Sequence, residues 1–256
     1  MENIFEFLER KFLVWMMILS RMVGLIVIAP YFSGWYIPMV VKIWLSLFLS
    51  WTLLSSVQGE IPLTTPVMAI ALNILLNLIV GLGIGFLALL PLAAFGGSGG
   101  VFSIQMGFAV ATTVDPTMEE TPIIGEFMYI IVLIVFVILN GHLLLFQGIS
   151  DSFKVFPVNL LEIKGNFFEF ILNKSLEFFY ILLKIGLPMI GFMLITTIAL
   201  GIVSRLIPQM NVFMVGLPLK TLVGFILFLG MIPVWAEMAA KLSVLISETL
   251  EKLLGV

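Results

Sequence analysis

A chain of 256 residues has the length of one large domain or two modest ones. Its hydrophobic share is 61% and its charged share 11%, against roughly 45–50% and about 25% in soluble domains, so neither a soluble fold nor a disordered chain accommodates it. With 12 Lys+Arg against 15 Asp+Glu the net charge is −3, which offers no basic field to nucleic acid, and the absence of cysteine removes disulfides, thiol nucleophiles and Cys-ligated metals. The composition is that of an integral membrane protein.

Gaps in the charge pattern set the order of elements. Residues 61–114, 127–150 and 185–204 contain no Asp, Glu, Lys or Arg. A helix needs about 20 mostly apolar residues to cross a bilayer. Six long apolar segments are predicted, near 12–29, 37–57, 67–95, 127–149, 178–203 and 213–236. Helix is the expected state because lipid offers no partner to an unpaired backbone group, and nothing here alternates like barrel strands. The expected fold is all-α and polytopic, about six long hydrophobic helices in hairpins, within one integral membrane domain over 1–256. No linker, composition shift or internal repeat divides it.

The first segment follows Glu2, Glu6 and Glu9 beside Arg10 and Lys11, which is not the basic leader of a signal peptide, so a retained helix is expected. Arg21 lies midway along that segment, Lys42 early in the second, Lys184 in the fifth and Lys220 in the sixth. Each costs about 2.5–3.5 kcal/mol at a helix centre. The three lysines lie near segment ends and suit snorkelling. Arg21 is too deep for that, and a buried subunit contact is expected.

Beyond the third segment, Gly96-Gly97-Ser98-Gly99-Gly100 leads through an apolar run to Val114, then Asp115-Pro116 and the pair Glu119 and Glu120. The 96–125 stretch is too apolar for an ordinary loop and too broken for a span. A re-entrant or pore-occluding segment and a helix bent at a glycine hinge fit it equally. Further on, 151–177 reads as a polar loop. Pro188, Pro208, Pro218 and Pro233 favour kinks or breaks in the C-terminal spans. After Pro233, Leu242, Leu245, Ile246 and Leu250 recur at helical spacing beside Glu237, Lys241, Glu248 and Glu251, which predicts an amphipathic C-terminal helix. In the six-span arrangement Arg10, Lys11, Lys154, Lys164, Lys174, Lys241 and Lys252 share one side, with only Arg205 in the opposite connections. Both termini are therefore expected in the cytoplasm.

Chemistry has little material. Gly96–Gly100 matches G-x-S-x-G, and with His142, the only histidine, Ser98 suggests an intramembrane serine protease. The motif is weak, since glycine-rich stretches produce it by chance and no strand precedes it. Gly96 and Gly100 equally form a G-x-x-x-G for close helix packing. His142 stands in Asn140-Gly141-His142, where a hydrogen-bonded packing role is favoured over a proton relay or a ligand. One histidine and no cysteine support no metal site, and no phosphate-binding glycine loop occurs. No cofactor, metal or enzymatic activity is expected. The 15 methionines are compatible with a deformable gate.

Several strings together resemble one family. They are Arg21-Met22-Val23-Gly24, Ala29-Pro30-Tyr31-Phe32-Ser33, Ile37-Pro38 with Lys42, Gln105-Met106-Gly107-Phe108-Ala109 through Val114-Asp115-Pro116, and Asn140-Gly141-His142-Leu143. Ser152-Phe153, Phe156-Pro157 and Ile185-Gly186-Leu187-Pro188 follow, then Ser204-Arg205-Leu206-Ile207-Pro208-Gln209-Met210-Asn211-Val212-Phe213 and Gly216-Leu217-Pro218. In this order, over nearly the whole chain, they are similar to the FliR/SctT family of flagellar and injectisome export-apparatus membrane proteins. Motif agreement favours the flagellar branch.

The resemblance implies a structural, non-catalytic subunit of the type III secretion core export gate in the bacterial inner membrane, at the flagellar basal body. FliP- and FliQ-type subunits would form the channel with it, FlhB- and FlhA-type subunits would associate, and unfolded exported proteins would be the cargo. Residues 1–150 would be the FliP-like part and 178–256 a FliQ-like hairpin and tail. The family's pore-occluding plug maps near 105–116, with Met106, Gly107, Phe108, Val110, Thr113, Asp115 and Pro116 as pore candidates. Relatives often carry aromatic residues where Val110 and Thr113 stand, which leaves Met106 and Phe108 as the bulky members that narrow the channel. Arg21, Lys42, His142, Arg205, Gln209, Asn211 and Lys220 are candidates for subunit contacts or for a wet lumen. The family also places much of the complex above the bilayer plane, in conflict with six insertion-competent spans. From the residues alone, a small secondary transporter using intramembrane charges remains an alternative, distinguished by acting alone or as a homodimer.

Overall fold

The computed structural model describes residues 4–34, 37–57, 59, 61–108, 122–160, 166–207, 209 and 211–254. These residues form seven helices and no strand: α1 (Ile4–Ile28), α2 (Met39–Leu53), α3 (Val67–Gln105), α4 (Ile123–Ile138), α5 (Gly141–Val155), α6 (Asn166–Leu206) and α7 (Val212–Leu254). Four stretches are long and apolar enough to cross a membrane: Leu8–Ile28, Val67–Gln105, Ile171–Leu206 and Met214–Lys241.

The expected segments change in four places. The second shortens to the 15 residues of α2, about 22 Å of helix against a hydrocarbon core of about 30 Å. The fourth, expected as one span over 127–149, is two helices, because Asn140 takes a left-handed conformation (φ 59°) as the N-cap of α5. Asparagine tolerates that conformation better than most residues. The third continues as helix through 96–100 and its four glycines to Gln105. Of the 151–177 stretch, expected as a polar loop, 151–155 close α5 and 166–177 open α6. The prolines inside helices, Pro91, Pro188, Pro218 and Pro233, do not end them, since each removes only one backbone bond. Pro208 lies outside the described residues, and the amphipathic tail is the continuation of α7.

The chain divides into two compact units, 1–90 with 137–175 and 243–256, and 91–136 with 176–242. In the first, α1 buries Val14, Met17, Ile18, Arg21, Met22, Leu25 and Ile26, a stripe at three- and four-residue spacing. Gly24 and Gly81 bring α1 and α3 into backbone contact: a Cβ on Gly81 would collide with the Arg21 carbonyl, and one on Gly24 with that of Leu78. Helix α2 turns small residues inward and large ones outward. Ser46 and Ser50 are buried, each donating its hydroxyl to a carbonyl of its own helix, whereas Trp44, Phe48 and Trp51 are exposed. Lipid is as apolar as leucine, so this helix can leave its bulky side chains outside and use small residues for close approach.

In the second unit, too, small residues bring helices together. Gly96, Gly99 and Gly100 of α3 face Gly125 of α4. A Cβ on Gly125 would lie 2.6 Å from the Gly96 carbonyl oxygen and 2.8 Å from the Gly100 nitrogen. The glycine run thus serves helix packing. Ser98, buried, sets its Oγ 2.8 Å from the Ala94 carbonyl and 2.7 Å from that of Leu182, which ties α3 to α6. Phe95, Phe102, Met128, Phe136, Met193 and Phe228 fill the interior.

Candidate functional site

Two constellations hold most of the polar organisation, one in each unit. In the first unit Arg21 is fully buried. Its Nε and Nη2 donate to Oδ1 of Asn77 at 3.1 and 2.6 Å, Nη1 donates to Oγ of Ser152 at 2.9 Å, and Nη2 also donates to the Phe156 carbonyl at 3.0 Å. The Phe153 ring lies against the guanidinium, with Cζ 3.8 Å from the ring centroid, close enough for a cation–π contact. Among the described residues no carboxylate pairs with Arg21. Its charge is met by neutral dipoles and a π face, and the planar fork of arginine allows three acceptors at different angles to be reached at once.

The acceptors are themselves held. Asn77 donates from Nδ2 to the carbonyls of Asn73 (2.9 Å) and Val158 (3.1 Å), so every hydrogen-bonding atom of its amide is engaged. Asn73 accepts the backbone N–H of Leu160 at 2.8 Å and donates to Oδ1 of Asn159 at 3.1 Å. The Ser152 hydroxyl donates to the Ile149 carbonyl at 2.6 Å. Residues 156–160 follow α5 without regular secondary structure and yet bury Phe156, Val158 and Leu160. Asn73, Asn77 and Arg21 supply the partners this segment lacks, the condition under which non-helical backbone survives in an apolar interior. Asn73, Asn77 and Ser152 were not among the sequence candidates. Two asparagines four residues apart inside a charge-free run were the available signal.

The other expected contact residues are dispersed. Lys42, half-buried, donates to the Ser33 carbonyl at 3.1 Å and holds the turn before α2. His142 stands in the first turn of α5, half-buried, and its Nδ1 has no hydrogen-bond partner among the described residues. Arg205 and Gln209 are exposed and Lys220 is half-buried. Asn211 accepts the Met214 N–H at 3.3 Å at the start of α7. Arg21, expected at a subunit contact or lumen, is instead enclosed by its own chain.

In the second unit the stem of the 105–116 stretch is anchored. Met106 is fully buried, with its side chain filling the space left by the missing Cβ of Gly224. Its carbonyl accepts the Thr221 hydroxyl at 3.1 Å. Gly107 turns the chain out of α3 with φ 96°, a conformation that favours glycine. Phe108 then meets Phe225 edge to face, ring centroids 6.3 Å apart. Met106, expected to project into a pore, is thus packed against α7. Val110, Thr113, Asp115 and Pro116 lie outside the described residues. Ser98, weighed above as a nucleophile, has its hydroxyl between two carbonyl acceptors.

Long apolar helices that meet closely at glycines, bury amides and serines, and still expose many bulky apolar side chains define a helical membrane protein. Comparison with known proteins identifies its kind. The family model "Bacterial export proteins, family 1" matches residues 12–244. The chain is 31% identical over 252 residues to the flagellar biosynthetic protein FliR of Bacillus subtilis, covering 95% of each. It is 28% identical over 225 residues to FliR of Escherichia coli, covering 88% of this chain and 86% of that one. It is 33% identical over 224 residues to FliR of Pectobacterium carotovorum, covering 85% and 84%. The chain belongs to family 1 of the bacterial export proteins.

Proposed function

We propose that this chain is a structural subunit of a flagellar type III export gate, which forms with FliP- and FliQ-type subunits the channel for unfolded flagellar proteins in the bacterial inner membrane. FlhB- and FlhA-type subunits associate with that gate. Residues 1–150 act as the FliP-like part and 178–256 as the FliQ-like part. The observation that carries the reading is the anchored stem at Met106–Phe108 in a member of the bacterial export family. A buried methionine, a hydroxyl tie and an edge-to-face ring pair hold one end of the motif-matched stretch, as a pore-occluding element requires a rigid base. Phe108, Val110, Thr113, Asp115 and Pro116 line or shape the closed channel, while Met106 and Gly107 position them. Lys42, His142, Arg205, Gln209, Asn211 and Lys220 meet neighbouring subunits or the lumen.

Native mass spectrometry of the chain co-expressed with FliP- and FliQ-type subunits tests the assembly. One copy in a multi-subunit complex is expected. A monomer or homodimer beside unbound FliP- and FliQ-type subunits overturns the reading. The plug role is tested by deleting 109–114, which leaves the Met106–Phe108 base intact. Reconstituted complexes are expected to leak ions through a channel no longer blocked by apolar surface; conductance equal to that of the intact complex counts against it.

A further inference from the structure

The second unit carries a groove beside the base of the plug stretch, lined in part by the Phe108–Phe225 pair. Its volume is about 640 Å³, between α4 and α7, with Phe108 among its lining residues. That falls within the roughly 300–1,000 Å³ of ligand-binding clefts. Phe228 forms part of the buried lining, whereas Phe127 and Phe225 are about half exposed. The rings come in two pairs, Phe108 with Phe225 and Phe127 with Phe228, the latter 5.8 Å apart and tilted by 52°. One lining residue is charged. Glu126, in the first turn of α4, is exposed and makes no side-chain hydrogen bond or ion pair among the described residues.

We propose that this groove binds a segment of the polypeptide in transit, one that presents an apolar or aromatic side chain next to a lysine or arginine. The proposal rests on the export reading above. Phenyl faces take up apolar side chains and attract cations, and a carboxylate with no partner among the described residues supplies the complementary charge at the same groove. Position favours cargo over lipid as the occupant, because Phe108, which opens the plug stretch, lines the groove and sets it beside the element that blocks the channel. A pairing of apolar and basic residues is common in unfolded chains of any sequence, so such a groove holds many cargoes weakly instead of one tightly, as a conduit requires.

The test uses the assembled complex in cells. A photo-crosslinking benzoylphenylalanine replaces Phe225, or Ile130 in a second strain, and an export substrate fused to a domain that cannot unfold is stalled in the channel. Light is expected to join this chain to the stalled substrate. The yield is expected to fall about five-fold in Glu126→Lys, the scale of one partly exposed charge contact, and less in Glu126→Gln. Adducts only with lipid, with a neighbouring subunit or with residues 109–121 of this chain overturn the proposal, as does a yield unaffected by Glu126→Lys. Both outcomes leave the export reading intact provided that the wild-type chain restores export to a deletion strain. If export proceeds without the chain, the export reading fails and the groove proposal falls with it.

Discussion

Arg21 carries the only fully buried charge among the described residues, and its surroundings explain how an apolar unit keeps it. Asn77, Ser152 and Phe156 each offer an oxygen, and each is 56 residues or more away in sequence. Position alone signals that Arg21 requires partners; nothing local says which, so a neighbouring subunit and the chain's own α3 and α5 are equivalent readings until the fold is known. Arg21→Met keeps the length and removes the donors, leaving the Asn77 and Ser152 oxygens and the Phe156 carbonyl unmet. The purified chain in detergent is expected to lose on the order of 3 kcal/mol, read as a lowered midpoint in thermal unfolding. Arg21→Lys is expected to recover less than half of that loss, because an ammonium cannot span the fork of Asn77 and Phe156. Full rescue by lysine would show that charge, not geometry, is what the site needs.

At the scale of elements, glycine has two opposite roles that composition does not separate. Gly81 lies where a Cβ would meet the Arg21 backbone, so Gly81→Ala forces α1 and α3 apart. Backbone yields less readily than a flexible side chain, and roughly 3 kcal/mol is expected to be lost. Gly201 of α6 has nothing within 4 Å of the same point. Gly201→Ala is expected to stabilise the isolated chain by about 1 kcal/mol through helix propensity alone. Unfolding of the two variants in detergent checks both signs. The same distinction accounts for the 96–105 stretch. In sequence its glycines suit a hinge or a G-x-x-x-G packing face, and the close approach of Gly125 decides for packing over the flexibility glycine would otherwise confer. Helix α4 supplies that approach, and its position is not encoded near residue 96.

For the whole molecule, the number of crossings decides where each connection lies. The basic residues near the termini and in 151–177 share a side if four or six segments cross, but not if five do. The four stretches of spanning length satisfy this count without α2, which is short and turns Trp44, Phe48 and Trp51 outward, the two tryptophans being typical of the membrane interface. The chain has no cysteine of its own, so one introduced thiol reports its own side. Ser56→Cys, just beyond α2, is expected to react with a membrane-impermeant maleimide added outside intact cells that express the chain without partners. Protection of that thiol, with labelling in Gln209→Cys, would mean that α2 crosses after all.

The sequence by itself determined the solvent, the all-helical class and the family. Hydropathy summed over about 20 residues is a local quantity, and lipid leaves helix as the state available to such a run. It also marked Arg21, Asn140-Gly141-His142 and the Met106–Pro116 strings as unusual. Only the tertiary structure decided that Asn77, Ser152 and Phe156 enclose Arg21, that Asn140 breaks the fourth segment, and that Met106 packs beneath α7 at Gly224. Those outcomes depend on contacts between residues far apart in the chain. With little hydrophobic drive between helices in lipid, the contacts are selected by close packing and hydrogen-bond partners, which a linear pattern does not contain.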